Sequence, residues 1–176
     1  LMQSLDDIGE GPADLPDRQR TLRATIGWSH GLLSEAEQRV FRRLGAFSGV
    51  LTLDAAMAVA ACDEADVATV LGSLVDKSLV RPEPGDEPRF RMLVTVREYS
   101  REQLAGSGEM DSIRDRHAAF YRDLALAALD ELSGPLQAAT VARLSMEWAN
   151  MEAAAARMTE TADFDSLVSM LHGAWV

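Results

Sequence analysis

Apolar residues recur at helical spacing along nearly the whole chain, with one interruption. Leu22, Ile26 and Leu33 fall roughly on one face of a helix predicted over 18–33, weakened by Gly27 and Gly31. Ser34-Glu35-Ala36-Glu37 then reads as a capping box, and the helix it starts buries Val40, Phe41 and Leu44. Thr52 opens a helix to about Ala60, and Asp63 opens another carrying Val67, Val70, Leu71, Leu74 and Val75. Here the period changes. Strands are predicted over 79–82 and 89–93, around a Pro82-Glu83-Pro84-Gly85-Asp86-Glu87-Pro88 tip that cannot continue a helix. A helix from about Val94 to Ala105 stops at Gly106 and Gly108.

From Glu109 the helical period returns. Ile113, His117, Phe120, Tyr121, Leu124 and Ala128 form one stripe, and Ser133-Gly134-Pro135 breaks the chain. Val141, Leu144, Trp148, Met151, Ala155 and Met158 step by threes and fours, a narrow seam for packing on neighbouring helices. Phe164, Leu167, Val168 and Leu171 mark a last helix. Helix, hairpin, helix is the order of a winged helix. The fold class expected is therefore mainly α: a winged helix over 17–106, then antiparallel helical hairpins over 107–176 that resemble the start of a TPR-like array. Residues 1–16, punctuated by Gly9, Gly11, Pro12 and Pro16, read as a linker or the tail of an upstream domain.

Composition narrows the function classes. Apolar residues make up 47% of the 176, enough for a packed core. A single cysteine, Cys62, forbids an intrachain disulfide and fits a reducing, cytoplasmic setting. No apolar run approaches the roughly 18 residues of a membrane span. Leu1 in place of an initiator methionine suggests an excised fragment. The net charge of −11 is uneven: residues 17–101 hold 12 basic and 12 acidic side chains, whereas 102–176 hold 5 and 12. Neither half is basic, which argues against nucleic-acid binding.

Three segments carry a family resemblance: Leu15–Gly49, Leu74–Leu104 with its RFRMLVTVREYSRE core, and RHAAFYRDLA over Arg116–Ala125. Together they resemble bacterial STAND-class signal-transduction ATPases of the NB-ARC type, of the kind found in LuxR- or AfsR-like transcriptional regulators. The resemblance implies a regulatory interdomain module, coupling the nucleotide state of an upstream ATPase domain in the same chain to a helical-repeat sensor that takes a protein effector. ATP or ADP would belong to the parent protein; this segment needs no cofactor of its own. Many such proteins carry Met-His-Asp where this chain has Met92, Leu93 and Val94. Leucine cannot donate a hydrogen bond to a phosphate. The nucleotide-proximal positions implied are thus Arg91, Leu93 and Arg97, the arginines standing in for the missing histidine.

Other motifs weigh little. Gly72 to Ser78 has a superficial likeness to a phosphate loop, but Asp76 replaces the second glycine, and no catalytic role follows. His30, His117 and His172 show no metal spacing with Cys62. His117 on an apolar stripe reads as a satisfied core or boundary residue, and Trp148 and Trp175 read as core. Two arginine groups, Arg18, Arg20, Arg23 and Arg39, Arg42, Arg43, are either a docking face or a solvated face balanced by Asp17, Glu35 and Glu37. Two alternatives remain. One is a DNA-binding winged helix with a helical dimerisation arm, opposed by Asp63, Glu64, Asp66 and Asp76 on its reading helix. The other is a protein-binding helical scaffold whose Val141–Met158 seam recruits a partner or a second copy, making a homo-oligomer.

Overall fold

The computed structural model describes residues 17–62, 66–85, 87–132 and 135–174. Its elements are α1 (Asp17–Gly31), α2 (Glu35–Leu44), β1 (Leu51–Thr52), α3 (Leu53–Ala60), α4 (Val67–Asp76), β2 (Arg81–Glu83), β3 (Arg89–Arg91), α5 (Val94–Gly106), α6 (Met110–Leu132), α7 (Gln137–Glu160) and α8 (Phe164–Ala174). The predicted linker over 1–16, the Asp63 helix start with Glu64, Asp86 at the tip, the Ser133-Gly134 break and Trp175 lie outside the described residues.

Local chemistry sets the helix ends. Ser34 caps α2 as expected, with the Glu37 carboxylate accepting from the Ser34 amide at 2.8 Å. The Glu37 carboxyl is held down at about 2 by hydrogen bonds from Lys77 and Ser73 of the α4 end. Thr52 and Asp66 cap α3 and α4. The last apolar-periodic helix before the wing, α4, opens at Val67, where Asp66 takes the amides of Ala68 and Thr69. α4 and α7 end alike. Ser78 and Ala162 sit in the left-handed region at φ 59° and 56°. The amides of Leu79 and Asp163 reach back to the carbonyls of Leu74 and Met158, each at 2.9 Å. These are Schellman ends with a side chain where glycine is usual.

The wing pairs β2 with β3, Pro82 opposite Phe90. A third strand, which the alternation of residues did not suggest, lies on the far side of β3: Leu51 opposes Phe90, giving the antiparallel order β1-β3-β2. Two residues are too few to show a period of two. The architecture is mainly helical, a winged helix followed by helical hairpins.

One continuous core joins the two parts. Phe41, Leu44, Phe47, Leu71, Leu74 and Leu104 of the winged helix are fully buried, as are Ile113, Tyr121 and Met170 of the hairpins. Phe47 crosses between them, its ring edge-on to His117 at 5.1 Å and Tyr121 at 6.5 Å. Close approach of α2 and α5 needs Gly45: a Cβ there would stand 2.7 Å from the Arg101 amide nitrogen. α6 and α7 run antiparallel, with Arg157 pairing Asp111 and Asp115 at one end and Arg143 pairing Glu131 at the other.

Two predicted stripes are corrected. Leu22 is exposed, because α1 turns Arg23, Ile26, Gly27 and His30 towards α5 and the core instead. In α7 the seam is rotated: Thr140, Leu144, Glu147, Asn150, Met151, Ala154 and Met158 are buried, while Val141 and Trp148 are about half exposed. Trp148 is therefore not core.

Candidate functional site at the wing and the helical junction

In a winged helix that reads DNA, the third helix would face the groove. Here that helix is α4, and its buried face is Val67, Val70, Leu71 and Leu74. Its outer face offers Thr69, Gly72 and Asp76, with Lys77 at the end. α4 holds no lysine or arginine, and Lys77 is paired with Glu37. The wing adds Arg81, exposed, and Arg91, whose Nε meets Glu83 at 2.7 Å. The superficial phosphate-loop likeness lies on this helix and its end: Gly72 has open space around it, and Ser73 donates to Glu37.

The start of α5 carries the three expected nucleotide-proximal residues. Leu93 is the N-cap residue, makes no side-chain cap bond and is 41% exposed. Arg91 points along the wing to Glu83, and Arg97 donates to the Ser48 carbonyl. The structure thus brings the three together on one short stretch but gives both arginines other partners.

The strongest polar construction lies elsewhere, where the wing and the loop after α2 meet α6 and α7. Arg89 of β3 is 7% exposed and Glu147 of α7 is 2% exposed. They meet at 2.7 Å, and the other arm of the guanidinium meets Glu87 at 2.7 Å. Tyr121 of α6 donates to the second Glu147 oxygen at 3.1 Å. Asn150, one turn along α7, clasps the loop: its Oδ1 accepts from the amides of Ser48 at 2.8 Å and Gly49 at 3.1 Å, and its Nδ2 donates to the Val50 carbonyl at 2.7 Å. Burial and the Glu147 charge drive the Tyr121 phenol far up, so it stays a hydrogen-bond donor at any working pH. Burial is the largest single influence on Arg89 and would lower its pKa, but the hydrogen bonds and charges of Glu147 and Glu87 together outweigh it and the net shift is upward. Buried charges of this kind are tolerated only when paired and hydrogen-bonded, and this pair is both.

A second bridge lies nearby. Arg42 and Arg43 of α2 close on Glu109, just before α6, at 2.8 and 2.6 Å. Arg43 is itself buried and also donates to the Ala61 carbonyl. Two of the three arginines in the second group are therefore structural rather than a docking face. In the first group Arg23 pairs with Glu102. His117 is buried, as its stripe implied, but it is not satisfied: Nε2 meets no hydrogen-bond partner. Burial, with Arg114 nearby, lowers it to about 4. Among the described residues no group of His, Cys, Asp and Glu is placed to hold a metal, and no helix is long and apolar enough to cross a membrane.

Sequence reasoning missed Glu147 and Asn150. Both lie on the α7 stripe three residues apart, at 144, 147, 150/151, 154 and 158, but their polarity hid them and the apolar Trp148 drew the seam aside. A buried arginine in the wing was the signal that could have found Glu147, since such a charge needs an acid facing it.

Comparison with known proteins agrees with the winged fold. Residues 33–105 match the family described as "Winged helix-turn-helix domain". A Mycobacterium tuberculosis (strain H37Rv) protein named "Putative HTH-type transcriptional regulator" is 40% identical over 99% of this chain, which covers 21% of that protein. Its Mycobacterium bovis counterpart matches to the same extent. A Mycobacterium tuberculosis protein named only as uncharacterized is 41% identical over 56% of the chain and 26% of its own length. The chain thus spans about a fifth of the length of the regulators it matches. No solved structure matches it significantly.

Proposed function

Taking residues 33–105 as a winged helix-turn-helix domain, we propose that this chain is an internal segment of a transcriptional regulator and serves there as a rigid relay. The winged helix and the helical hairpins would move as one body and pass a change at one neighbour to the other. The observation that carries this is the buried junction of Arg89, Glu147, Tyr121 and Asn150. A polar network with every member satisfied fixes one arrangement of its elements, and loosening it leaves buried charges exposed to apolar surroundings. The reading assigns no catalysis to this segment.

In its finer form the parent is a STAND-class ATPase, with this segment coupling its nucleotide state to effector binding at the helical hairpins. Support for that comes from the residue resemblance over Leu15–Gly49, Leu74–Leu104 and Arg116–Ala125; the named relatives are called regulators, and none is called an ATPase. A nucleotide contact at Arg91, Leu93 and Arg97 would require Arg91 to leave Glu83 or Arg97 to leave the Ser48 carbonyl. Adding ADP or ATP to the parent protein and to an Arg97→Ala variant tests it: weaker nucleotide affinity in the variant supports the contact, and equal affinity removes it.

A second reading, favoured by the match to the winged helix-turn-helix family, has this winged helix touch DNA itself. Lys77, Arg81 and Arg91 would then meet phosphates. Fluorescence anisotropy with duplex DNA separates the two. Direct DNA binding predicts affinity falling with salt with a log–log slope of about −0.9 per phosphate contact, lowered by about one contact in Arg81→Ala. The relay reading predicts no saturable binding by this segment at physiological salt.

A further inference from the structure

A cavity of about 270 Å³ opens between the winged helix and the hairpins, beside the junction already described. Its lining brings together Arg101 of α5, Arg114 and His117 of α6, Arg157 and Glu160 of α7, and Ser48 of the loop after α2. Its lining carries three guanidinium groups and one carboxylate, with Asp111 and Asp115 pairing Arg157 from outside the lining. Arg114 meets Glu160 at 2.7 Å, and Arg157 lies 3.8 Å from it while also holding Asp111 and Asp115. Arg101 is exposed and forms no ion pair or hydrogen bond with any described residue. His117 is buried, 3% exposed, and its Nε2 has no partner. A buried polar atom without a partner in a native fold needs an explanation, and an absent ligand is one.

We propose that this cavity binds a phosphate-sized oxyanion, held by Arg101, Arg114 and Arg157, with the His117 imidazole donating from Nε2. Arginine suits the task, since its planar fork presents paired donors to phosphate oxygens. The volume decides the size class. It falls just below the roughly 300–1,000 Å³ of pockets for drug-sized ligands, so inorganic phosphate or a small phosphate monoester fits and a nucleotide does not. Glu160, half exposed and paired with Arg114, is the countercharge that the anion displaces. Because the walls come from both the winged helix and the hairpins, the anion would brace the same junction. The site rests on the fold alone and stands whether or not the regulator reading does.

Calorimetric titration of the 176-residue chain with inorganic phosphate and with glycerol 3-phosphate, against sodium chloride of equal ionic strength, tests the proposal. Saturable one-to-one binding that chloride does not reproduce is expected. Arg101→Ala, at an exposed side chain, should melt like the parent and bind about tenfold more weakly, the loss of one charge-assisted contact. Glu160→Gln should bind more tightly. Tighter binding of the monoester assigns a metabolite, and tighter binding of free phosphate assigns the ion; either sustains the site. Binding of neither at millimolar concentration, or Arg101→Ala and His117→Gln binding as the parent does, overturns it.

Discussion

Arg89 and Glu147 meet at 2.7 Å across 58 positions of sequence, one in the wing and the other in the second hairpin helix, both almost wholly buried. Removing one partner of such a pair strands the other charge and costs about 3–5 kcal/mol, whereas replacing both by apolar groups can be nearly neutral. Urea unfolding should therefore show Arg89→Met and Glu147→Gln each strongly destabilised, with Arg89→Met/Glu147→Leu losing far less than the two together. Additive losses would mean that the two side chains do not act as a pair.

Asn150 serves three backbone groups of one loop, the amides of Ser48 and Gly49 and the carbonyl of Val50. Asn150→Ala leaves them without partners, and a loss of about 2–3 kcal/mol is expected on the scale of one or two stranded buried groups. Asn150→Asp keeps the acceptor but loses the donor and sets a second carboxylate beside Glu147, within 3.4 Å of the present Nδ2. Its destabilisation should be largest near neutral pH and ease on mild acidification, a profile that denaturant midpoints at several pH values would display.

How much of this was legible in sequence follows from what each residue declares about itself. The capping box at Ser34, the Thr52 cap and the α5 stop at glycine are local chemistry and appear where expected, whereas β2 opens at Arg81 and takes in Pro82 and Glu83 of the predicted tip, and β3 ends at Arg91, short of the predicted 93. The rotated α7 seam was not legible, because Glu147 and Asn150 look like surface residues until Arg89 and the 48–50 loop are known to face them. β1 is two residues long and takes its identity from β3. The pairing of Arg42 and Arg43 with Glu109 joins positions 66 and 67 apart, which no local pattern shows.

Acid should weaken the fold through His117. Its folded value lies at about 4 against an ordinary 6.5, chiefly through burial. Between those two values the unfolded chain binds a proton that the folded chain refuses. Stability is therefore highest above the ordinary value and falls as the pH drops towards 4, by on the order of 3 kcal/mol. Arg114 on its own helix opposes the imidazolium, and Phe47 packs on the ring from the winged helix. His30, also lowered by burial and Arg42, adds in the same direction. Chemical denaturation at pH 7 and pH 5 should show a clearly smaller pH loss in His117→Gln than in the parent.

Ala162 ends α7 in the left-handed region, where an L side chain is strained by roughly 1–2 kcal/mol. Ala162→Gly should stabilise the chain, by about 0.5–1 kcal/mol after the extra entropy that glycine loses on folding. An unchanged or lower melting temperature would mean that the turn relaxes to another shape.

The central claim, one rigid body across the junction, is tested most directly by native-state hydrogen exchange along a denaturant series. Amides of buried winged-helix residues such as Leu71 and Leu74 and of hairpin residues such as Tyr121 and Ala154 should open with one common free energy in the parent. In Glu147→Gln they should separate into two. Hairpin amides that already exchange through a cheaper opening in the parent, unaltered by Glu147→Gln, would contradict the account.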